Sequence, residues 1–154
     1  MRVGLISDTH GLLRPEAVEA LTGVEHILHA GDIGSAEVLT NLAKIAPVTA
    51  VRGNNDKGAW AAGISAFEGI QFGGRHIYML HDIDELDLDP AAAGFSAVIT
   101  GHSHKPKIES RDGVLFINPG SAGPRRFKLP VTVGFLHIEG DTINARIREL
   151  ALRN

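Results

Sequence analysis

What constrains this chain most is where its polar residues fall. Five apolar, strand-like runs each end in residues able to hold a metal ion. RVGLIS (2–7) runs into Asp8-Thr9-His10, and HILHA (26–30) runs into Gly31-Asp32. VTAVR (48–52) leads to Gly53-Asn54-Asn55-Asp56, RHIYML (75–80) to His81-Asp82, and SAVIT (96–100) to Gly101-His102-Ser103-His104. Ligands of open α/β sheets bind outside the carboxyl ends of the strands. Five such ends side by side would bring five polar clusters to one crevice. Burying that many Asp and His side chains without partners or a metal is costly, so the pattern is hard to explain as structure alone. His26, His29, His76 and His137 sit inside strand-like runs and are expected to be non-ligands.

The spacing between these clusters predicts the fold class. Residues 15–21 carry Ala17, Val18 and Leu21 at helical spacing, with Pro15 suited to a first helical turn. Ser35 is a candidate N-cap for a helix bearing Val38, Leu39 and Leu42 on one face. Pro47 ends that segment before a third strand at 48–51. The second half reads as closely spaced strands near 64–72, 75–80, 96–100, 106–110, 114–117, 131–138 and 142–150, with turn signals at Gly73-Gly74 and Asp112-Gly113. Strand–helix alternation followed by many strands predicts an α/β fold of two packed sheets with helices outside. No linker or low-complexity stretch interrupts the 154 residues, which are expected to form a single domain over 1–154.

Composition narrows the chemistry. Cysteine is absent, so any metal must be held by oxygen and imidazole nitrogen. Carboxylate, amide oxygen and imidazole together favour Mn, Fe, Zn or Ni over Ca. In extended backbone, Asp8 and His10 would face one side, as would His102 and His104. The latter pair would lie roughly 6–7 Å apart between Cα atoms. That span suits one imidazole on each of two metals roughly 3.5–4 Å apart. A formal net charge of −3 argues against a general polyanion binder, so no stable nucleic-acid complex is expected. Met1 leads straight into the first strand and no apolar run reaches spanning length, so a cytoplasmic protein without membrane contact is the expectation.

The pattern Asp8-x-His10, Gly31-Asp32, Gly53-Asn54-x-Asp56, His81 and Gly101-His102-x-His104, with Asn118-Pro119-Gly120-Ser121, resembles the calcineurin-like metallophosphoesterase superfamily. The short length is similar to its YfcE/MJ0936-type bacterial and archaeal phosphodiesterases. The resemblance implies a four-layer α/β/β/α sandwich of two mixed sheets flanked by helices. It also implies two divalent metal ions, Mn foremost and Fe, Zn or Ni as alternatives. Asp8, His10, Asp32 and His104 would hold the first. Asp32, Asn54, His81 and His102 would hold the second, with Asp32 bridging. Two departures stand out: many relatives place His where Asn55 stands, and Gly where Asp82 follows His81.

The function expected is hydrolysis of small or nucleotide-like phosphodiesters by attack of a metal-bridging hydroxide. With Asp8 and Asp32 ionised, such a hydroxide leaves about +1 on the centre, which attracts an anionic ester. Asp32, Asn54 and Asn55 are the expected catalytic residues. Asn55 and Arg126 are the expected substrate contacts, while Asn118-Pro119-Gly120-Ser121 reads as a shaping loop. A phosphoester small molecule is the expected partner, and a homo-oligomer is compatible with the sequence. The alternatives are a phosphomonoesterase or protein phosphatase of the same fold, and a non-catalytic interaction scaffold.

Overall fold

The apolar runs become strands close to where their patterning predicts them. The computed structural model describes residues 1–153. Its first half alternates β1 (Arg2–Ile6), α1 (Pro15–Leu21), β2 (His26–His29), α2 (Ala36–Ala43) and β3 (Val48–Ala50). Pro15 opens α1, where a missing N–H costs nothing. Ser35 stands at the N-cap of α2, but its side chain makes no capping hydrogen bond. The second half runs β4 (Phe67–Phe72), β5 (Arg75–Leu80), β6 (Ala97–Ile99), β7 (Lys107–Arg111), β8 (Val114–Asn118), β9 (Thr132–Glu139) and β10 (Thr142–Glu149). Between β7 and β8, Asp112 and Gly113 both take positive φ, the backbone of a type I′ hairpin turn.

Two mixed five-stranded sheets result, in the orders β10-β9-β1-β2-β3 and β4-β5-β6-β8-β7. In the first, β1, β2 and β3 run parallel. In the second, β5, β6 and β8 run parallel. Leu5, Leu28, Ile77, Met79 and Ile99 are fully buried in the layer between the sheets. Each such side chain contributes about 1.5–3 kcal/mol by leaving water. The helices α1 and α2 cover the outer face of the first sheet through Leu21, Val38 and Leu42. The outer face of the second sheet is covered by the segment after β5, where Leu86, Leu88 and Phe95 pack on Tyr78, Leu80 and Val98. The four layers are therefore present, with the last one thin: its regular element is a 3-10 turn, Ile83–Glu85. No helix among the described residues is long and apolar enough to cross a membrane.

Phe135 on β9 is the largest fully buried side chain, and the guanidinium of Arg2 lies 4.3 Å from its ring centre. Phe135→Ala is expected to lower the unfolding free energy by about 3–5 kcal/mol, the usual cost of emptying an aromatic core position. Urea titration measures this, and a loss below about 1 kcal/mol would show that β9 is not central to the core.

Candidate metal centre

The strands deliver their polar ends to one place through unusual backbone. Asp8, His10, Asp32, His102 and His104 all take positive φ, between 47° and 71°. Among the described residues only Asp112 and Phe127 join them outside glycine. Left-handed backbone is disfavoured for side chains other than glycine, and it concentrates at functional sites. The expected extended alternation of Asp8 with His10, and of His102 with His104, is therefore corrected. Both pairs lie on tight loops beyond the strands, and left-handed turns bring Asp8, His10 and His104 together while His102 stays exposed.

Asp8 Oδ1 lies 3.4 Å from His104 Nε2, 3.8 Å from His10 Nε2 and 3.9 Å from His81 Nε2. Asp32 Oδ2 lies 3.3 Å from His81 Nε2 and 3.7 Å from His10 Nε2. Two triads follow, Asp8–His10–His104 and Asp8–Asp32–His81, sharing Asp8. They form a candidate dinuclear metal site. Asn54 and His102 stand at its rim, with Asn54 Oδ1 3.3 Å from His102 Nδ1. The His102 ring meets the edge of the His81 ring at 5.2 Å. Asp82 Oδ2 is 3.7 Å from His102 Nε2. Asn55 is turned onto Asp32: its backbone N–H donates to Oδ1 and its side-chain amide to Oδ2, each at 2.9 Å. Arg125 and Arg126 lie on an exposed turn and make no side-chain hydrogen bond or ion pair among the described residues.

The electrostatics suit cations. Burial works against ionisation of Asp32, but His81 and Asn55 more than offset it and hold its carboxyl well below the ordinary range. Burial opposes ionisation of Asp8 too, and the His104 and Ser7 side chains outweigh it. His81 is disfavoured as a cation by burial, yet Asp32 and Asp8 draw its pKa above the usual value. Its Nδ1–H donates to the Ala30 carbonyl at 2.7 Å, which leaves Nε2 facing the carboxylates. Asp8 Oδ1, His81 Nε2 and His104 Nδ1 are buried without a hydrogen-bond partner. Buried polar atoms are rarely left so. A cation between Asp8 and His81 satisfies two of the three at once, so the donor set fits borderline divalent metals.

A web of groups with no apparent ligand role sets this geometry, and most of it is invisible in the sequence. Asp56 accepts N–H bonds from Ile33, Gly34 and Gly53, tying the Asp32 loop to the Asn54 loop. Ser7 Oγ and the His102 N–H donate to Asp8 Oδ2 at 2.7 and 3.1 Å, leaving Oδ1 to face the imidazoles. Asn118 donates to Gly101 O and Ser103 Oγ, and Ser121 to Asp8 O, so the 118–121 stretch shapes the site as expected. A Cβ at Gly101 would strike Ser7 Oγ, and one at Gly53 would strike the Asp32 backbone. His29 is fully buried and lies outside both triads. The Gly31 N–H donates to its Nδ1, so the ring proton is on Nε2, which donates to Thr9 Oγ1 at 3.0 Å. Thr9 in turn donates to Ile33 O.

Comparison with known proteins agrees with this geometry. Residues 1–141 match the calcineurin-like phosphoesterase superfamily domain. A probable metallophosphoesterase from Methanothermobacter thermautotrophicus is 36% identical over 158 residues, covering 96% of this chain and 91% of that protein. The structure of an archaeal phosphodiesterase superposes with a TM-score of 0.79 at 27% identity, over 96% of this chain and 100% of the other. Vps29 from Chaetomium thermophilum superposes with a TM-score of 0.79 over 97% of each chain, but at 17% identity this is a likeness of fold alone.

The His29 contacts predict a pH response. Burial pushes the imidazole pKa down from 6.5 to about 4. The unfolded chain takes up this proton below pH 6.5, whereas the folded one resists until about pH 4. The stability it contributes is therefore complete above pH 6.5 and falls by about 3 kcal/mol as the pH drops to 4. His81, shifted upward, acts in the opposite sense, so the readout is a difference. Urea unfolding of chelated protein between pH 7 and 4.5 should lose stability more steeply in the parent than in His29→Gln. Equal slopes would contradict the assignment.

Proposed function

The chain belongs to the calcineurin-like phosphoesterase superfamily, and from that premise we propose that it is a metal-dependent phosphodiesterase of the YfcE/MJ0936 type, acting on small or nucleotide-like phosphodiesters. The observation that carries the reading is the pair of buried carboxylates, Asp8 and Asp32, surrounded by the Nε2 atoms of His10, His81 and His104. In this reading Asp8, His10, Asp32 and His104 hold one cation, and Asp32, Asn54, His81 and His102 hold the other. Asp32 Oδ2 lies 3.7 and 3.3 Å from one imidazole of each set, which supports it as a shared ligand, and Asp8 Oδ1 faces both sets in the same way. Mn is the cation proposed. When bound, such a pair polarises a phosphoryl oxygen and acidifies water near neutral pH.

The chain's own groups do the rest. Ser7 and the His102 N–H fix one oxygen of Asp8, and Asn55 fixes the carboxylate of Asp32, so both are oriented before substrate arrives. Preorganised charge of this kind usually supplies most of a phosphoryl-transfer enzyme's advantage. Proton delivery to the leaving group is the weak part. Asn55 can donate a hydrogen bond but cannot act as a general acid near neutral pH. Asp56 engages both oxygens with three backbone N–H groups, which holds it to the two loops rather than toward the leaving group. Arg126, on its exposed turn, is the proposed contact for a substrate phosphate.

Two expected outcomes test this reading. Chelated protein reloaded with manganese should take up two equivalents per chain and hydrolyse bis(p-nitrophenyl) phosphate, and Asp32→Asn should lower the occupancy of both positions. Saturation at one equivalent, or unchanged occupancy in Asp32→Asn, would refute the shared ligand. Leaving-group dependence is the second. Aryl diesters should be cleaved far faster than alkyl diesters, because general-acid assistance worth about 10²–10⁴-fold is missing. Asn55→His should narrow that gap in kcat/KM by favouring the alkyl substrate. Little leaving-group dependence in the parent would place the proton donor elsewhere.

A further inference from the structure

A groove of about 350 Å³ opens beside the metal centre and is used by none of the chemistry above. It begins at His102, passes between the 3-10 turn Ile83–Glu85 and the β7–β8 hairpin, and has Phe116 and Ile117 among its lining. Its volume is at the lower end of the range for small-molecule sites, roughly 300–1,000 Å³. It has room for one nucleoside-sized group rather than a polymer.

Its chemistry selects further. The Arg111 guanidinium lies 4.1 Å from the centre of the Phe116 ring, making a flat cation-on-aromatic platform. Glu109 steadies Arg111 at 3.9 Å and Lys107 at 3.2 Å. Planar π systems stack on such guanidinium and phenyl faces. Acidic and basic lining groups are equal in number, Asp82, Asp84 and Glu109 against Lys105, Lys107 and Arg111, so the groove holds no net charge for a polyanion. Asp82 gives one oxygen to the Asp84 N–H and turns the other toward His102. The Asp84 carboxylate makes no hydrogen bond or ion pair among the described residues and is an open acceptor for N–H donors. An acyl chain has no such donors, whereas an amino-bearing heterocycle has both the plane and the N–H groups.

We propose that this groove is a base subsite. It takes the nucleobase of one half of a nucleotide-like phosphodiester, stacked at the Arg111–Phe116 platform with its amino group toward Asp84, while the phosphate sits at the metal centre. This rests on the phosphodiesterase reading and names its substrate class. The test is calorimetric titration of manganese-loaded protein with AMP, UMP and ribose 5-phosphate. AMP should bind about tenfold more tightly than ribose 5-phosphate, the scale of one base stack, and several-fold more tightly than UMP. Phe116→Ala should bring the first ratio near one. Because Phe116 also packs in the core, Asp84→Asn on the exposed turn is the second variant, and it should narrow the preference for AMP over UMP without abolishing it. Equal affinity of the parent for AMP and ribose 5-phosphate, or ratios unchanged in both variants, would overturn the proposal. Hydrolysis of bis(p-nitrophenyl) phosphate by the same preparation separates the two readings. Hydrolysis without base-dependent affinity sinks the subsite alone. Base-dependent affinity lost in the variants, but without hydrolysis, supports the subsite and removes the catalytic reading.

Discussion

Two buried carboxylates at the seam between the sheets govern the rest of this structure. Asp8 and Asp32 are almost wholly shielded from water, and an ionised carboxylate there is unfavourable unless charge and hydrogen bonds answer it. Every neighbouring loop is arranged to do so. Ser7, the His102 N–H and Asn55 supply donors, and His10, His81 and His104 supply imidazoles. The left-handed backbone at five of these positions costs of order 1–3 kcal/mol each. Such strain persists only where the surroundings over-determine it. The Asp56 carboxylate, holding three backbone N–H groups across two loops, is the clearest instance of that enforcement.

The sheets matter to this site chiefly by their ends. Three parallel strands in each sheet point the same way at the seam, so the residues after β1, β2 and β3 meet those after β5, β6 and β8. Neither sheet alone provides the triads: Asp8, His10 and Asp32 follow strands of the first, His81 and His104 strands of the second. Packing of the apolar layer between Leu5, Leu28, Met79 and Ile99 is thus also what sets the spacing of the ligand-type atoms. A core substitution that slides one sheet on the other by 1 Å would disturb the site without touching it.

Much of this was legible in the sequence for a physical reason. Apolar runs closed by metal-type residues carry both the strand and the site in one signal, and the strands from Arg2–Ile6 to Thr142–Glu149 fall within a few residues of the patterning. Ser35 shows the limit at the level of one bond: the helix starts where it predicts, but the capping bond is absent. The extended geometry expected of Asp8-x-His10 and His102-x-His104 failed because sequence spacing reports neighbours, not φ. Two residues apart implies the same face only on a strand, and here the strands have already ended. Long-range partners were equally hidden. Nothing near Asp56 in the chain announces that it binds the Gly34 N–H, and nothing near His29 announces Thr9.

Asn55 shows how a departure from a pattern is best read through contacts. From sequence it is a missing proton donor. In the fold it is also a present one, of a different kind: two N–H groups on one carboxylate hold Asp32 against rotation and disperse its charge. A histidine at 55 could still use its backbone N–H, and its Nδ1, attached to Cγ as the asparagine amide nitrogen is, could donate to the same carboxylate only with the ring held in one orientation. In this chain the side chain at 55 positions the carboxylate. Asp82 is also best read through its contacts. It restrains the 3-10 turn through the Asp84 N–H and faces His102 from outside the centre. Asn55 thus holds a ligand-type carboxylate and Asp82 holds the neighbouring turn, each through hydrogen bonds made within the chain.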